Sequence, residues 1–282
     1  MEKKKTGTVF GIAAICVVAF VGGYLLLNQA TVVTVKGSTT VSPIATACAE
    51  AFMDQLDGNE KIDIQISGGG SSTGVTAVGE GMVDIGMSSR DIRESELESY
   101  PDLNIITIAN DGIAIIVNTN VDVDDLTMEQ LKAIYNGSIT NWNELGGANQ
   151  EITVVGRDSA SGTRAFFYEN VMLSTNFTAS MEEANSNGAV KTKVVETPGA
   201  IGYVGLGFID STVKALNIRE SPSAEAVAPT VENVQSGDYS ISRAIYLLTI
   251  GEPTGAAKLF IDFVLSAEGQ EIVADLGFVP IN

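Results

Sequence analysis

Short apolar runs alternate with stretches of helical period through most of this chain. Val32-Val33-Thr34-Val35 reads as a strand that stops at Lys36-Gly37, and Ile44, Ala47, Cys48, Ala51 and Phe52 then recur at spacings of three and four, one face of a helix. Ile62-Asp63-Ile64-Gln65-Ile66 alternates as a strand does and breaks at Gly68-Gly69-Gly70. A helix from about Thr73 to Gly79 and a strand Val83–Met87 follow. Two apolar strands, Ile105–Ile108 and Ile113–Val117, are predicted on either side of a turn at Asn110-Asp111-Gly112. The spacing predicts helices over Thr127–Tyr135, Thr163–Met172 and Gly255–Val264, and strands over Ile152–Val155 and Ile201–Val204. Alternating strands and helices specify α/β architecture, with no internal repeat and no low-complexity linker.

The first part of the chain breaks this pattern. Lys3, Lys4 and Lys5 precede an uncharged stretch from Val9 to Leu27, long enough to cross the roughly 30 Å of bilayer hydrocarbon. The lysines predict an N-terminus held in the cytoplasm and a chain exported beyond residue 30. Residues 1–30 are therefore expected to be an uncleaved signal anchor; a cleaved signal peptide is the competing reading, although Asn28-Gln29-Ala30 fits a cleavage site poorly. The protein is expected at the cell membrane, with its binding domain on the extracytoplasmic side.

Composition narrows the chemistry. The 282 residues include 16 Lys plus Arg, 35 Asp plus Glu, two Cys and no His, for a formal charge of −19. Without histidine there is no Ser-His-Asp triad, no imidazole base and no imidazole-ligated metal. Such an acidic chain is a poor partner for nucleic acid. Cys16 falls in the apolar segment and Cys48 beyond it, so they do not pair within one chain. Asn118, Asn120, Asp122, Asp124 and Glu129 imitate a calcium loop, but Val123 stands where glycine is needed, and the cluster reads as structural.

What remains is a local design used three times. Gly37-Ser38-Thr39-Thr40, Gly70-Ser71-Ser72 and Ser161-Gly162-Thr163 each follow a strand and open a helix. Free N–H groups, hydroxyls and about half a positive charge from the helix dipole then converge on one point. One such turn is ordinarily a cap. Three of them, with Arg157 four residues before Ser161, point to a cleft for a small tetrahedral oxyanion, which the planar guanidinium fork suits.

These segments, with Asp84-Ile85-Gly86-Met87-Ser88-Ser89-Arg90, Ile134-Tyr135-Asn136-Gly137, Asn141-Trp142, Ala200-Ile201-Gly202-Tyr203 and Ala267-Glu268-Gly269-Gln270, resemble the phosphate-binding component of ABC phosphate importers. The resemblance covers nearly all of residues 31–282, in order. It implies a type II periplasmic-binding-protein fold: two α/β lobes joined by two crossing strands, near Ile108–Gly112 and Ile241–Tyr246. Residues 31–111 and 242–282 would form lobe 1 and residues 112–241 lobe 2. By motif position the anion meets Thr39, Thr40 and Ser71 from one lobe, and Arg157, Ser161, Gly162 and Thr163 from the other; Arg90 and Arg164 are further candidate contacts. Family members carry a carboxylate that accepts the phosphate proton where this chain has Ser89. Asp111 either replaces that acceptor or caps a turn before Gly112.

The implied protein is a monomeric, membrane-tethered solute receptor, not an enzyme. It needs no cofactor or metal, and its partners are inorganic phosphate and the permease subunits of an ABC transporter. Sulfate, molybdate or tungstate is the alternative cargo, since a serine oxygen accepts a proton but does not repel sulfate as a carboxylate does. A phosphatase using Ser161 or Asp158 is the alternative in another class. A net-acidic receptor binds through contact-distance donors, so its affinity is expected to depend weakly on salt.

Overall fold

A computed structural model describes residues 30–56 and 61–281. The expected anchor lies outside the described residues; among those described, no helix is long and apolar enough to cross a membrane.

The chain opens with β1 (Thr31–Gly37), α1 (Ser42–Asp54), β2 (Ile62–Ser67), α2 (Ser71–Gly79), β3 (Ile85–Ser88) and α3 (Glu94–Ser99). A fifteen-residue strand follows, β4 (Leu103–Val117). Next come β5 (Asp125–Thr127), α4 (Met128–Tyr135), β6 (Thr153–Arg157), α5 (Gly162–Asn170), β7 (Glu182–Ala184), α6 (Asn187–Glu196), β8 (Ala200–Gly205), β9 (Lys214–Arg219) and α7 (Val231–Ser236). The chain then returns through β10 (Ser242–Ile250), α8 (Gly255–Leu265) and α9 (Ala267–Asp275). The strands lie in the order β2-β1-β3-β10-β4-β8-β6-β7, with β9 joining β4 to β5. β1 runs parallel to β2 and β3, and β6 parallel to β7 and β8, whereas β10 and β4 are antiparallel to each other.

β4 does the joining. Residues Leu103–Gly112 pair with β10, and Ile113–Val117 pair with β8. Two apolar cores follow the same division. One gathers Val33 through Ala109 with Ile245 through Phe278, with Val75, Val78, Leu103 and Leu248 set apart as a small satellite cluster; the other gathers Ile113 through Ile241, with Val279. Each is a strand-and-helix layer sealed on its own apolar face.

The expected turn at Asn110-Asp111-Gly112 does not form; β4 runs straight through it. Turn residues lose here because partners on neighbouring segments satisfy them. Asn110 exchanges both backbone bonds with Val279, at 2.8 and 2.9 Å, and Asp111 faces Arg243 across the strand pair. Buried backbone groups must find partners, and a turn would have removed these. Sequence also left the helices α3, α6, α7 and α9 and the strands β5, β7 and β9 unread. α3 buries no residue, and α6 offers only Val190 and Val194 as apolar contacts, too few for a helical stripe.

Candidate functional site

The three glycine-and-hydroxyl turns meet at the junction of the two halves. The first precedes α1: Ser38 Oγ accepts from the backbone N–H groups of Thr40 (3.2 Å) and Val41 (3.4 Å), and Pro43 fixes the first helical turn. The second ends in Gly70, the N-cap of α2, at φ 91°. Only glycine takes that conformation freely, and a Cβ there would also collide with the carbonyl of Ala160 from the opposite turn. The third is capped by Ser161, whose Oγ accepts from Arg164 N at 3.2 Å and opens α5.

The halves touch directly through these turns. Ser72 N donates to Ala160 O at 3.2 Å, Thr40 and Thr163 share a hydroxyl bond of 3.2 Å, and Asn187 Nδ2 donates to Thr40 Oγ1 at 2.9 Å. A Cβ on Gly162 would strike Ser71 Oγ and come within 2.9 Å of Ser89 Oγ. The cleft is therefore shut. A cavity of about 800 Å³ lies instead beside α5, lined by groups including Arg164, Tyr168, Phe177 and Met181, and holds none of the converging hydroxyls.

On the β1–β3 side the site is neutral. Ser38 Oγ donates to Ser89 Oγ at 2.8 Å, Ser89 Oγ lies 3.3 Å from Ser71 Oγ, and Ser89 N donates to Ser71 Oγ at 3.0 Å. All three serines are buried.

On the other side it is charged. Arg157, at the end of β6, is 1% exposed. Its Nη2 donates to Thr39 Oγ1 (3.1 Å) and Asn185 O (3.3 Å), its Nε to Ala184 O (3.3 Å), and its backbone N to Tyr203 Oη (3.1 Å). Nη1 is buried with no acceptor among the described residues. Burial pushes the guanidinium down to about 10, with Tyr203 and Asp158 opposing, so it stays cationic at neutral pH. Asp158, its chain neighbour, contributes charge but makes no ion pair with it.

The other residues singled out by sequence are engaged elsewhere. Arg90 is buried against Glu96, reaching its two oxygens at 2.8 and 2.6 Å, and also bonds Asp91 O and Ser72 Oγ. Arg164 pairs with Glu183, donates to Arg157 O at 2.7 Å and stacks over Phe177. Asp111 neither caps a turn nor stands free as an acceptor: Oδ2 accepts from Arg243 Nη2 at 2.9 Å and Oδ1 from Leu206 N at 3.1 Å.

Sequence reasoning passed over two residues the fold brings here, Asn187 and Arg243. Arg243 was legible in principle. From Ile241 into β10 burial alternates through Ile241, Arg243, Ile245 and Leu247 before Leu248 and Thr249 are also covered, so an arginine occupies the inward parity of an apolar strand. Asn187 carried no such signal, because it opens a helix with almost no apolar stripe. Among the described residues no cluster of His, Cys, Asp or Glu could hold a metal. The assembled groups are donors for an oxyanion: two buried guanidiniums, several hydroxyls and the N-termini of α2 and α5.

Comparison with known proteins agrees. A family model described as the PBP superfamily domain matches residues 27–268. The chain is similar to a phosphate-binding protein PstS of Bacillus subtilis, 39% identical over 251 residues, covering 88% of this chain and 80% of that one. A PstS of Borreliella burgdorferi is 32% identical over 260 residues, covering 89% and 90%. Among solved structures, a phosphate ABC transporter substrate-binding protein of Clostridium perfringens with bound phosphate superposes with a TM-score of 0.82 at 38% identity, over 89% of this chain and 100% of that one. An ABC-type phosphate transport receptor of Vibrio cholerae gives 0.70 at 34%, over 88% and 99%.

Proposed function

The chain belongs to the PBP superfamily and, within it, to the phosphate-binding PstS group, and from that membership we propose how it captures inorganic phosphate and delivers it to an ABC importer. Lobe 1 comprises residues 31–111 and 242–282, lobe 2 residues 112–241, and the ion is held where the three turns converge. Thr39, Thr40, Ser71 and Ser89 face it from lobe 1; Arg157, Ser161, Gly162 and Thr163 face it from lobe 2. Residues 1–30 tether the receptor, a monomer, to the outer face of the membrane.

The observation that carries this reading is Arg157. A buried guanidinium with one N–H unpaired and no carboxylate partner is costly in an isolated protein. An oxyanion at Nη1 supplies both the missing acceptor and the missing counter-charge. The N–H groups opening α5, which follow Ser161, then meet the same ion, so most of the affinity comes from short, charge-assisted bonds. The overall charge of −19 repels phosphate only from afar, where salt screens it beyond about 8 Å.

Ser89 supports an unusually permissive version of this site. Where a carboxylate would demand a proton from its ligand, the Ser38–Ser89–Ser71 chain offers hydroxyls that both donate and accept. Catalysis has no support in the same geometry: Ser161 Oγ caps α5, and among the described residues no hydrogen bond joins it to a carboxylate or amine that would act as its base. Titration calorimetry with phosphate, sulfate and molybdate tests the proposal. Saturable phosphate binding by one ion per chain is expected; binding of sulfate or molybdate with none of phosphate overturns it. Hydrolysis of a chromogenic phosphate ester would restore the enzyme reading.

A further inference from the structure

Arg243 and Asp111 stand directly opposite each other on β10 and β4, at the seam where one apolar core gives way to the other. Arg243 is 7% exposed and Asp111 fully buried. A purely structural cross-strand pair would use the guanidinium fork bidentately. Here a single nitrogen, Nη2, serves both Asp111 Oδ2 and Thr163 Oγ1, each at 2.9 Å. Nη1 and Nε are buried without an acceptor among the described residues, while the ring of Phe166 lies 5.8 Å from the guanidinium carbon. Thr163, the residue Arg243 reaches, belongs to the turn that faces the proposed ion, and its hydroxyl bonds Thr40 across the cleft.

Asp111 turns one oxygen to Arg243 Nη2 and the other to Leu206 N, so protein donors already fix its orientation. Its geometry suits a different role, in which it holds Arg243 at one corner and leaves the rest of the fork uncommitted. Arg157, with its own unpaired Nη1, feels the positive charge of Arg243. Two buried cations that repel each other, with one carboxylate paired to Arg243, leave positive charge uncompensated, which an anion in the cleft offsets.

We infer that Arg243 is a second anion-contacting arginine, contributed by the crossing strand and not by the helix-opening turns, and that Asp111 is the residue that positions it. The inference rests on the phosphate reading above and deepens it. A group on the crossing strand that contacts both ligand and Thr163 links ion capture to the approach of the lobes. It also adds a second source of anion affinity. A family site carries a carboxylate acceptor; this one adds a second guanidinium, a donor to either anion, with Ser89 leaving room for sulfate.

Calorimetry on the full chain with inorganic phosphate, and separately with sulfate, tests this in three variants. Arg243→Met is expected to weaken phosphate binding about a hundredfold. Asp111→Asn should weaken it about fivefold, and the double variant Asp111→Asn/Arg243→Met should match Arg243→Met alone, because Asp111 acts only through its partner. The double variant removes both buried charges together, so its ligand-free melting temperature should stay near that of the wild type. A double variant that binds phosphate within about threefold of the wild type overturns the proposal. So does an Asp111→Asn loss that adds fully to that of Arg243→Met. A wild-type chain that takes sulfate but not phosphate sinks the phosphate reading by itself; the same three variants, titrated with sulfate, then decide whether Arg243 contacts the ion.

Discussion

Arg90 and Arg157 are both buried arginines at the ends of inner strands, 3% and 1% exposed, and each leaves one N–H without a protein acceptor. What separates them is counter-charge. Glu96 grips Arg90 through both oxygens, whereas Arg157 is surrounded by a threonine hydroxyl and two backbone carbonyls. The first arrangement has its charge balanced within the protein and stabilises the fold. The second is incomplete, and its missing charge describes the ligand. Burial alone therefore does not mark a binding arginine; a terminal nitrogen left without an acceptor among the described residues does, as Nη1 is in Arg157 and in Arg243 but not in Arg90.

The strongest test of that contrast removes each guanidinium in turn. Arg157→Met should lower phosphate affinity by about a hundredfold or more, since a charge-assisted contact is lost at the centre of the site. Its ligand-free melting temperature should hold or rise, because an unpaired buried charge is gone. Arg90→Met should do the reverse. Phosphate affinity, read by calorimetry, should stay within about threefold of wild type, while urea unfolding reports a loss of about 2 kcal/mol as Glu96 loses its partner. Equal affinity losses in the two variants would erase the distinction.

Closure gives a smaller effect that sharpens it. Gly162→Ala adds a methyl where the α5 turn meets Ser71 and Ser89. Alanine suits a helix, so lobe 2 should not lose stability, but overpacking at the seam should cost phosphate about thirtyfold in affinity. An unchanged dissociation constant would mean that the lobes do not need this contact to hold the ion.

The smallest effect is a pH dependence. Glu96 titrates below the usual carboxylate range: burial, the largest single influence, would raise it, but the bonds from Arg90 and from Arg93 N outweigh burial together. A folded-state value below the unfolded one means that the stabilisation is present above the ordinary glutamate range of about 4.3 and disappears as pH falls through the folded value. Urea midpoints followed from about pH 6 down to about pH 3 should converge for wild type and Glu96→Gln. Midpoints that keep a constant gap would remove Glu96 as the partner that completes Arg90.

Legibility in the sequence followed the same divide between local and distant causes. Thr39, Ser71, Ser161 and Arg157 were readable because helix-opening turns state their requirements within a few residues. The pairing of Asp111 with Arg243 was not, because it depends on which segments the fold lays side by side; that of Arg90 with Glu96, six residues on, was hidden because α3 buries no residue to announce a helix. Asp111 misled most: Asn-Asp-Gly is a turn signal in isolation, and only the exchange with Val279 and the charge of Arg243 keep β4 extended. Thr40 was named from its motif, yet its neighbour Asn187 came from a helix whose polar pattern gave no warning.

The most direct test is a crystal structure of the protein grown in millimolar phosphate. One tetrahedral ion is expected within hydrogen-bond distance of Arg157 Nη1 and of the N–H groups that open α5, enclosed by Thr39 and Ser71 from the opposite lobe. An ion seated elsewhere, or an Arg157 whose Nη1 acquires a protein carboxylate in its place, would contradict the site proposed for phosphate.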